Sequence, residues 1–237
     1  MGDLEYSLLK ERYEARGIMV FNFRTREEWL RFRKSRIGGS DASCVMGLNP
    51  WKSNLDLWLE KTGKKIADNL DDNELVQYGH KAEEFIRSLF AIDHPEYRVV
   101  DGTDIILVNH KYPWAHASLD GHLLDAGTDN LELAGILEIK TVNAVNNDVW
   151  KKWRDRIPDY YYCQVLHYLA VTELPKAILR AQIKTVNDDG TVYAQMREYV
   201  FNRAEIEADI TTLMDAEKAF YESLKSGEEP SVILPQI

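Results

Sequence analysis

Cysteine is almost missing from this sequence of 237 residues, which contains only Cys44 and Cys163. Two cysteines cannot build the disulfide framework on which many small secreted domains depend. They also cannot supply a four-cysteine zinc or iron–sulfur site within one chain. We therefore expect reduced, semi-buried thiols. A chain of this length should bury one sizeable hydrophobic core as a single domain.

Long apolar runs are also missing, and 45% hydrophobic and 29% charged residues are ordinary values for a soluble globular protein. No uninterrupted apolar segment approaches the length of a membrane span. The N-terminal sequence MGDLEYSLLKERYE does not have the layout of a signal peptide. Internal repeats and low-complexity segments are absent from the sequence as well. We expect a cytoplasmic protein without a membrane partner.

An excess of positive charge is missing too, because 29 Lys and Arg stand against 39 Asp and Glu, for a net charge of −10. The distribution is uneven. Residues 10–36 contain nine Lys or Arg and four Glu, residues 151–156 add a second basic segment around Trp153, and residues 205–229 are acidic. A basic face opposite an acidic one is compatible with a polyanionic partner. Ordinary amphipathic helices with solvated charges would give the same pattern.

Two predicted strands, at residues 117–124 and 131–142, contain the residues around which the chain is organised. A polar loop of hairpin length joins them. Glu138 and Lys140 are two apart in the second strand, so their side chains leave the same face, and Asp120 can reach that face across the hairpin. Two carboxylates and an ammonium are costly to bury unless something binds them. A divalent cation between Asp120 and Glu138, with Lys140 beside an attacking water, would satisfy all three, whereas a surface ion pair is the simpler alternative.

A glycine-rich turn is predicted to lead into a short helix. Gly38 and Gly39 precede Ser40, a suitable N-cap residue, and the helix should stop at Gly47. The free backbone N–H groups at such a helix start suit an anion, phosphate in particular. A turn between two helices with no ligand would look the same.

The remaining elements are predicted from periodicity, capping residues and turn signals. Further helices are expected at residues 4–16, 25–34, 53–61, 73–92, 147–155, 160–172 and 202–225. Further strands are expected at residues 97–100, 104–108, 177–185 and 191–200, with a polar loop at 64–73. Thr25, Ser53 and Asn202 are the predicted N-caps. This order of elements indicates an α/β fold with a central mixed sheet flanked by helices on both sides.

Two of these helices carry polar residues of interest. In the 73–92 helix, Glu83 lies among the positions predicted to form an apolar face, namely Leu75, Tyr78, Ala82, Phe85, Ile86, Leu89 and Phe90. In the 160–172 helix, Tyr161, Gln164, His167 and Tyr168 recur at helical spacing. A solvated glutamate and a packed core helix with satisfied polar groups are the simpler readings of these two patterns.

Five motifs, taken in order, resemble one known family. They are Arg36-Ile37-Gly38-Gly39-Ser40-Asp41 with Gly47-Leu48-Asn49-Pro50-Trp51 and Leu57–Gly63, then Tyr78-Gly79-His80-Lys81-Ala82-Glu83, Ser118-Leu119-Asp120-Gly121, Leu137-Glu138-Ile139-Lys140, and Tyr161-Tyr162-Cys163-Gln164-Val165. The chain is similar over residues 29–172 to the YqaJ-like viral recombinases, which belong with phage lambda exonuclease to the PD-(D/E)xK nuclease superfamily. The resemblance implies a restriction-endonuclease-like core. Leu119 departs from the proline of the superfamily name, which shapes a turn and binds no metal.

The resemblance also implies roles for individual residues. The catalytic and metal-binding set would be Asp120, Glu138, the Ile139 carbonyl, Lys140, Glu83 and Gln164. In that set Lys140 would orient and help to deprotonate the attacking water. A pocket for a terminal 5′-phosphate would involve Arg33 and Ser40, with Gly39 and Arg36 beside them.

The implied activity is a Mg²⁺-dependent 5′→3′ exonuclease, with Mn²⁺ able to substitute. It would degrade one strand of linear double-stranded DNA from 5′-phosphorylated ends and leave a 3′ single strand for phage-type annealing recombination. A single-strand annealing protein would be a partner, and the chain would form a homo-oligomer, a trimer by resemblance. One nuclease domain would span residues 1–237, with an N-terminal helical part to about 92, the catalytic sheet and helices to about 225 and a C-terminal tail at 226–237.

Two alternatives remain open from the sequence. Another PD-(D/E)xK nuclease, either an endonuclease or a RecB-like enzyme with four cysteines, would use the same core, although two cysteines argue against the second. A catalytically inactive module that binds DNA ends is an alternative of a different class. The presence of Asp120, Glu138 and Lys140 argues against it.

Overall fold

The computed structural model describes residues 2–67, 73–103 and 105–233 of the chain. Its helices are α1 Asp3–Glu14, α2 Arg26–Lys34, α3 Gly39–Val45, α4 Asn54–Lys61, α5 Glu74–Asp93, α6 Asn147–Lys152, α7 Asp159–Thr172 and α8 Glu207–Ser226. Its strands are β1 Ile18–Asn22, β2 Ile37–Gly38, β3 Tyr97–Asp101, β4 Ile105–Asn109, β5 Ala115–His116, β6 Gly121–Asp125, β7 Leu133–Asn143, β8 Lys176–Val186 and β9 Val192–Asn202. The 3₁₀ turn Arg203–Glu205 precedes α8.

The main sheet has five strands in the order β3-β6-β7-β8-β9. β7 pairs with β8 in parallel, and all other neighbours in this sheet are antiparallel. The predicted mixed sheet is therefore confirmed, and so is the antiparallel hairpin, in which Gly121 pairs with Leu137. The connection from β7 back to a parallel β8 contains α6 and α7, as a parallel pair requires a crossover of a dozen or more residues.

The two faces of the main sheet are covered by different helices. Leu137 and Ile139 of β7 pack with Ile86 and Phe90 of α5 on one face. Ile136, on the opposite face, belongs to the largest core cluster, to which α7 contributes its apolar residues. Strand alternation explains this division, because successive side chains of β7 leave opposite faces. Each fully buried Leu, Ile or Phe contributes roughly 1.5–3 kcal/mol of burial free energy.

Two small sheets position the N-terminal third of the chain. β1 pairs with β4 in antiparallel fashion, and β2 pairs with β5 in parallel, with Ile37 opposite Ala115. Neither β1 nor β2 is predicted from the sequence. Gly39 then brings α3 into direct contact with α7, because a Cβ at this position would lie 2.5 Å from Cε1 of Tyr168. Only glycine allows this approach.

Several local predictions are confirmed and others are wrong. Thr25 and Ser53 cap α2 and α4 as predicted, each accepting a hydrogen bond from a backbone N–H of the first turn. Ser40 does not cap α3. The N-cap is Gly38, whose N–H donates to Asp41 Oδ2 at 2.9 Å, and Ser40 is an exposed helical residue. Asn202 is followed by the 3₁₀ turn rather than by α8, so that prediction is also wrong.

The predicted apolar face of α5 is only partly buried. Ile86 and Phe90 belong to the core, but Leu75, Phe85 and Leu89 are exposed, as is Ile92 at the end of the helix. Helical periodicity correctly identified the helix but overestimated how much of its surface the sheet covers. Trp153, which lies within the second basic segment, is buried in the core while its basic neighbours are exposed.

Some predictions fall on parts of the chain outside the described residues. They are the centre of the polar loop at 64–73, the predicted first residue of the 104–108 strand and the end of the 226–237 tail. The division of residues 1–237 into three parts of one nuclease domain stays a prediction. Among the described residues, no helix is both long enough and apolar enough to cross a membrane.

Candidate active site

Asp120 lies immediately before β6, in a position fixed by the neighbouring strand. Its Oδ2 accepts a hydrogen bond from the backbone N–H of Ile139 at 2.7 Å. Because Gly121 pairs with Leu137, Asp120 is brought beside Glu138 at the same end of the hairpin. The predicted reach of Asp120 across the hairpin agrees with this geometry, although Asp120 precedes the strand rather than lying within it.

Glu138 and Lys140 leave the same face of β7, as their spacing predicts. Lys140 Nζ lies 2.5 Å from Glu138 Oε1. Glu138 is only 2% exposed, and its second oxygen, Oε2, has no hydrogen-bond partner. A buried carboxylate oxygen without a partner carries a desolvation penalty of about 1–3 kcal/mol, or more when it is charged. This oxygen is therefore available to a ligand that would offset the penalty.

The electrostatics show that the three carboxylates interact. Burial, and then the neighbouring Asp120, raise the pKa of Glu138 to about 8. The same two causes raise the pKa of Glu83 to about 7, and burial raises the pKa of Asp120 against the opposing effect of Lys140. For Lys140, burial favours the neutral amine, but Glu138 and Asp120 outweigh burial and raise its pKa. Additional positive charge would stabilise the cluster, since its carboxylates resist ionisation together.

Glu83 reaches this cluster from α5, on the layer opposite α7. A close contact positions the helix, because a Cβ at Gly79 would lie 3.2 Å from Oγ1 of Thr141, the residue after Lys140. Tyr78 adds an anchor through a 2.6 Å hydrogen bond from its hydroxyl to Gln182 of β8. The motif that the sequence analysis noted around Glu83 therefore includes the residues that attach α5 to the sheet.

Gln164 lies on α7 and is buried. Its Nε2 donates to the Tyr168 hydroxyl at 2.9 Å, and Tyr161, one turn earlier, holds its ring 5.2 Å from Lys140 Nζ. Burial raises the pKa of Tyr168, with Glu138 as the next cause. The simpler reading of a packed core helix holds for His167 and Tyr168, which are buried. Tyr161 and Gln164 lie on the side of α7 that faces the site.

The donor set is suited to a hard divalent cation. Asp120, Glu138 and Glu83 supply carboxylate oxygens, the ligands that Mg²⁺ and Mn²⁺ accept, and the unpartnered Glu138 Oε2 is one of them. The described residues nevertheless contain no group of three or more His, Cys, Asp or Glu side chains already arranged around a common point. The contacts explain this, because Lys140 pairs with one Glu138 oxygen and the Ile139 N–H with one Asp120 oxygen. The role of the Ile139 carbonyl stays a prediction.

A basic cleft of about 760 Å³ lies between α2, α3 and α4. Arg33 and Ser40 both line it, so the structure brings these two predicted phosphate ligands together. Gly39 does not line it and instead packs against Tyr168. Arg36 is also absent from its walls and lies over the Phe32 ring at 4.3 Å.

Sequence reasoning missed other residues of this cleft. Lys61 forms a 2.7 Å ion pair with Asp41 and donates to the Arg36 carbonyl at 2.6 Å, so it ties α4 to the glycine turn. His116 is buried at the back of the cleft, and its Nδ1 has no partner. The only sequence signal that pointed to Lys61 is its position inside one of the five motifs. His116 carried none.

A buried chain of contacts supports the wall of the cleft from behind. His167 Nε2 donates to the His116 carbonyl at 2.8 Å, and His167 Nδ1 lies 2.7 Å from Glu217 of α8. Burial opposes protonation of His167, but Glu217 outweighs burial and raises the pKa of this histidine. The acidic helix α8 thus contributes one of its carboxylates to the interior rather than to the surface.

Comparisons with known proteins identify the family and the fold. The family model of the YqaJ-like viral recombinase domain matches residues 28–175. A protein of Bacillus subtilis (strain 168), the uncharacterized protein YqaJ, is 36% identical over 148 residues. That match covers 62% of this chain and 42% of the relative, so the similarity extends over less than half of the relative's length.

Solved structures share the fold at low sequence identity. An alkaline exonuclease, LHK-Exo, from Laribacter hongkongensis superposes with a TM-score of 0.55 at 19% identity, covering 85% of this chain and 96% of the other. A phage-related exonuclease from Haemophilus somnus 129PT gives a TM-score of 0.52 at 12% identity, covering 81% and 96%. Similarity at this level establishes a common fold.

Proposed function

The chain belongs to the YqaJ-like viral recombinase family, and on this premise we propose that it is a metal-dependent exonuclease acting on the ends of double-stranded DNA. The observation that carries the proposal is the cluster of Asp120, Glu138 and Lys140 at the edge of the hairpin, with an unpartnered oxygen on Glu138. The structural neighbours, an alkaline exonuclease and a phage-related exonuclease, support the same reaction class.

Asp120, Glu138 and Glu83 would hold the metal, with Mg²⁺ as the proposed ion and Mn²⁺ as a substitute. When bound, such an ion supplies a nucleophile from water at neutral pH and relieves charge on the phosphate. Lys140 retains its proton, because the neighbouring carboxylates raise its pKa. The protonated amine would act as a donor that orients water or a phosphate oxygen. Gln164, whose Nε2 donates to the Tyr168 hydroxyl, would act on the substrate from α7.

We propose 5′→3′ polarity, with the basic cleft as the receptor for the terminal 5′-phosphate. A phosphomonoester carries nearly two negative charges, whereas an internal diester carries one, so cations can select the end. Arg33 offers a bidentate donor and Ser40 a hydroxyl within the same cleft. Each cut leaves a new 5′-phosphate, so repeated binding in the cleft would draw the strand in one direction.

Two partners complete the proposal. The single strand left by degradation would pass to a single-strand annealing protein, in keeping with the recombinase family. The chain would also assemble into a closed homo-oligomer, a trimer by resemblance. The exposed apolar side chains Leu75, Leu89 and Ile92 of α5 favour association. Analytical ultracentrifugation at working concentration should give a mass above that of the monomer, and a monomeric mass would exclude the ring.

The central test uses linear duplex DNA carrying either a 5′-phosphate or a 5′-hydroxyl, with Mg²⁺ or with EDTA. We expect degradation only with the metal and faster degradation from the phosphorylated end. A covalently closed circular duplex is the matched substrate, because an exonuclease requires an end. Cleavage of the circle would indicate an endonuclease, and no degradation of any substrate would contradict the proposed activity.

A further inference from the structure

A continuous row of aromatic rings runs from the surface of the protein to the candidate active site. Trp51 contacts Tyr160 edge-on, with ring centroids 5.0 Å apart. Tyr160 contacts Tyr161 at 4.4 Å, and Tyr161 contacts the buried Trp153 at 5.4 Å. The separations are those of interacting aromatic pairs. The row therefore connects an exposed loop with the helix that borders the site.

Trp51, at the outer end, is 75% exposed, although tryptophan is highly buried on average. It is nevertheless held in place. The Asn49 side chain accepts hydrogen bonds from the backbone N–H groups of Trp51 and Lys52, at 2.9 and 3.0 Å, and donates to Ser43 of α3. An exposed, anchored indole contributes little to folding and presents a flat apolar face to solvent.

The inner end of the row lies at the catalytic cluster. Lys140 Nζ is 5.2 Å from the centre of the Tyr161 ring, and Lys140 pairs with Glu138. A ligand that lay along the rings would consequently have one part beside Lys140 and another beside Trp51. Packing alone does not require such continuity, because the largely exposed Trp51 buries little area at its end of the row.

The charge around the row is positive on one side. The segment that carries Trp153 also carries four exposed basic residues, Lys151, Lys152, Arg154 and Arg156. Asp155 lies in the same segment, and Asp148 and Asp159 form ion pairs with Lys151 and Arg156, so these acids leave a small positive excess. Exposed rings combined with cations are the usual means of binding a single-stranded nucleic acid, in which bases stack and phosphates meet the cations.

We propose that Trp51 and Tyr160 form a stacking platform for an unpaired nucleobase of the DNA strand that is being cut. This proposal rests on the proposed nuclease function and specifies the form of its substrate. The bases must be unpaired there, because stacking inside a duplex hides their faces. The strand is the one under cleavage, because the row ends at Lys140, beside the reacting phosphodiester.

The first experiment measures binding in EDTA, so it does not depend on catalysis. A labelled oligothymidylate is titrated against wild type and three variants, Trp51→Ala, Trp51→Leu and Trp51→Phe. Stacking is worth about 1–3 kcal/mol per base, which predicts a roughly tenfold loss of affinity for Trp51→Ala. Trp51→Leu retains apolar bulk without a π face and should lose nearly as much. Trp51→Phe should retain most of the affinity.

The comparison of variants separates stacking from the alternatives. Equal affinity of all four proteins for the oligonucleotide would overturn the platform. So would full affinity in Trp51→Leu, which would indicate an apolar contact rather than stacking. An equal loss for the oligonucleotide and for a covalently closed circular duplex would overturn it as well, because the paired bases of the circle cannot use the platform.

A second experiment distinguishes failure of this proposal from failure of the nuclease assignment. Degradation of linear duplex DNA is followed with Mg²⁺ for wild type and for Trp51→Ala, and we expect a higher KM with a smaller change in kcat. If the wild type degrades DNA but Trp51→Ala binds the oligonucleotide as tightly as the wild type, only the platform is overturned. A wild type without nuclease activity, whose oligonucleotide binding still depends on Trp51, would support the platform and contradict the proposed function.

Discussion

The candidate active site and the basic cleft differ in how the backbone positions their polar and charged side chains. In the active site, Glu138 is buried on a central strand and pairs with Lys140 two residues away. In the cleft, Arg33 and Ser40 lie on separate helices, and Ser40 is exposed. Asp120 and Glu138 are thus positioned by the register of a hairpin, whereas the positions of the proposed phosphate ligands depend on how three helices pack. Chemistry should be most sensitive to the first region and end preference to the second.

The largest expected effect comes from the active site. Asp120→Asn and Lys140→Ala should each reduce DNA degradation on the order of a hundredfold or more, because each removes a charge that acts on the reacting groups. Initial rates on a 5′-phosphorylated linear duplex measure the effect, and circular dichroism checks the fold. If Asp120→Asn degrades DNA at the wild-type rate in a preparation free of contaminating nuclease, the assignment of Asp120 to the active site is contradicted. The contrast between the two regions would then be lost.

A smaller effect is expected in the cleft. Arg33→Ala should erase most of the preference for 5′-phosphate over 5′-hydroxyl ends, a loss of roughly tenfold, since a charge-assisted hydrogen bond contributes about 1.5–3 kcal/mol. The ratio of initial rates on the two ends is the measurement. Arg31→Ala is the matched control, because Arg31 lies on the same helix, is exposed and does not line the cleft. If Arg33→Ala and Arg31→Ala give the same ratio of rates on the two ends, the cleft does not select the phosphorylated end.

Gly39→Ala should affect both regions at once, because the added Cβ would push α3 away from Tyr168. Overpacking of this kind costs typically about 1–3 kcal/mol of unfolding free energy. Chemical denaturation measures that cost, and we also expect a partial loss of end preference, since α3 carries Ser40. A variant as stable as wild type, with unchanged end preference, would show that the two regions are not coupled through this contact.

The last prediction concerns stability rather than rate, and it is a pH dependence that belongs to the active site alone. Burial and Asp120 raise the pKa of Glu138 to about 8, so the folded protein binds more protons than the unfolded chain between about pH 4.5 and about pH 8. Stability without metal should therefore fall as pH rises through this interval. Glu138→Gln should flatten the dependence, and Arg33→Ala should not. If the denaturation midpoint of Glu138→Gln depends on pH as strongly as that of the wild type, the raised pKa of Glu138 is contradicted.

The contrast between the regions also explains what the sequence could predict. The period-two spacing of Glu138 and Lys140 specified their common face, and strong capping signals at Thr25 and Ser53 specified two helix starts. These features depend on neighbours in the chain. The role of His116 in the cleft and the pairing of β1 with β4 depend on distant segments and left no local pattern. The face of α5 was overpredicted because periodicity does not show how much of a helix the sheet covers.

The parallel pairing of β7 with β8 has a consequence for the order of folding. The hairpin of β6 and β7 joins neighbouring segments, so its loop closes on the microsecond scale, whereas β8 can pair only after the crossover through α6 and α7 is in place. We therefore expect Asp120, Glu138 and Lys140 to be assembled early and Tyr161 and Gln164 to join them later. Pulsed hydrogen exchange during refolding should show protected amides in β6 and β7 before those of β8.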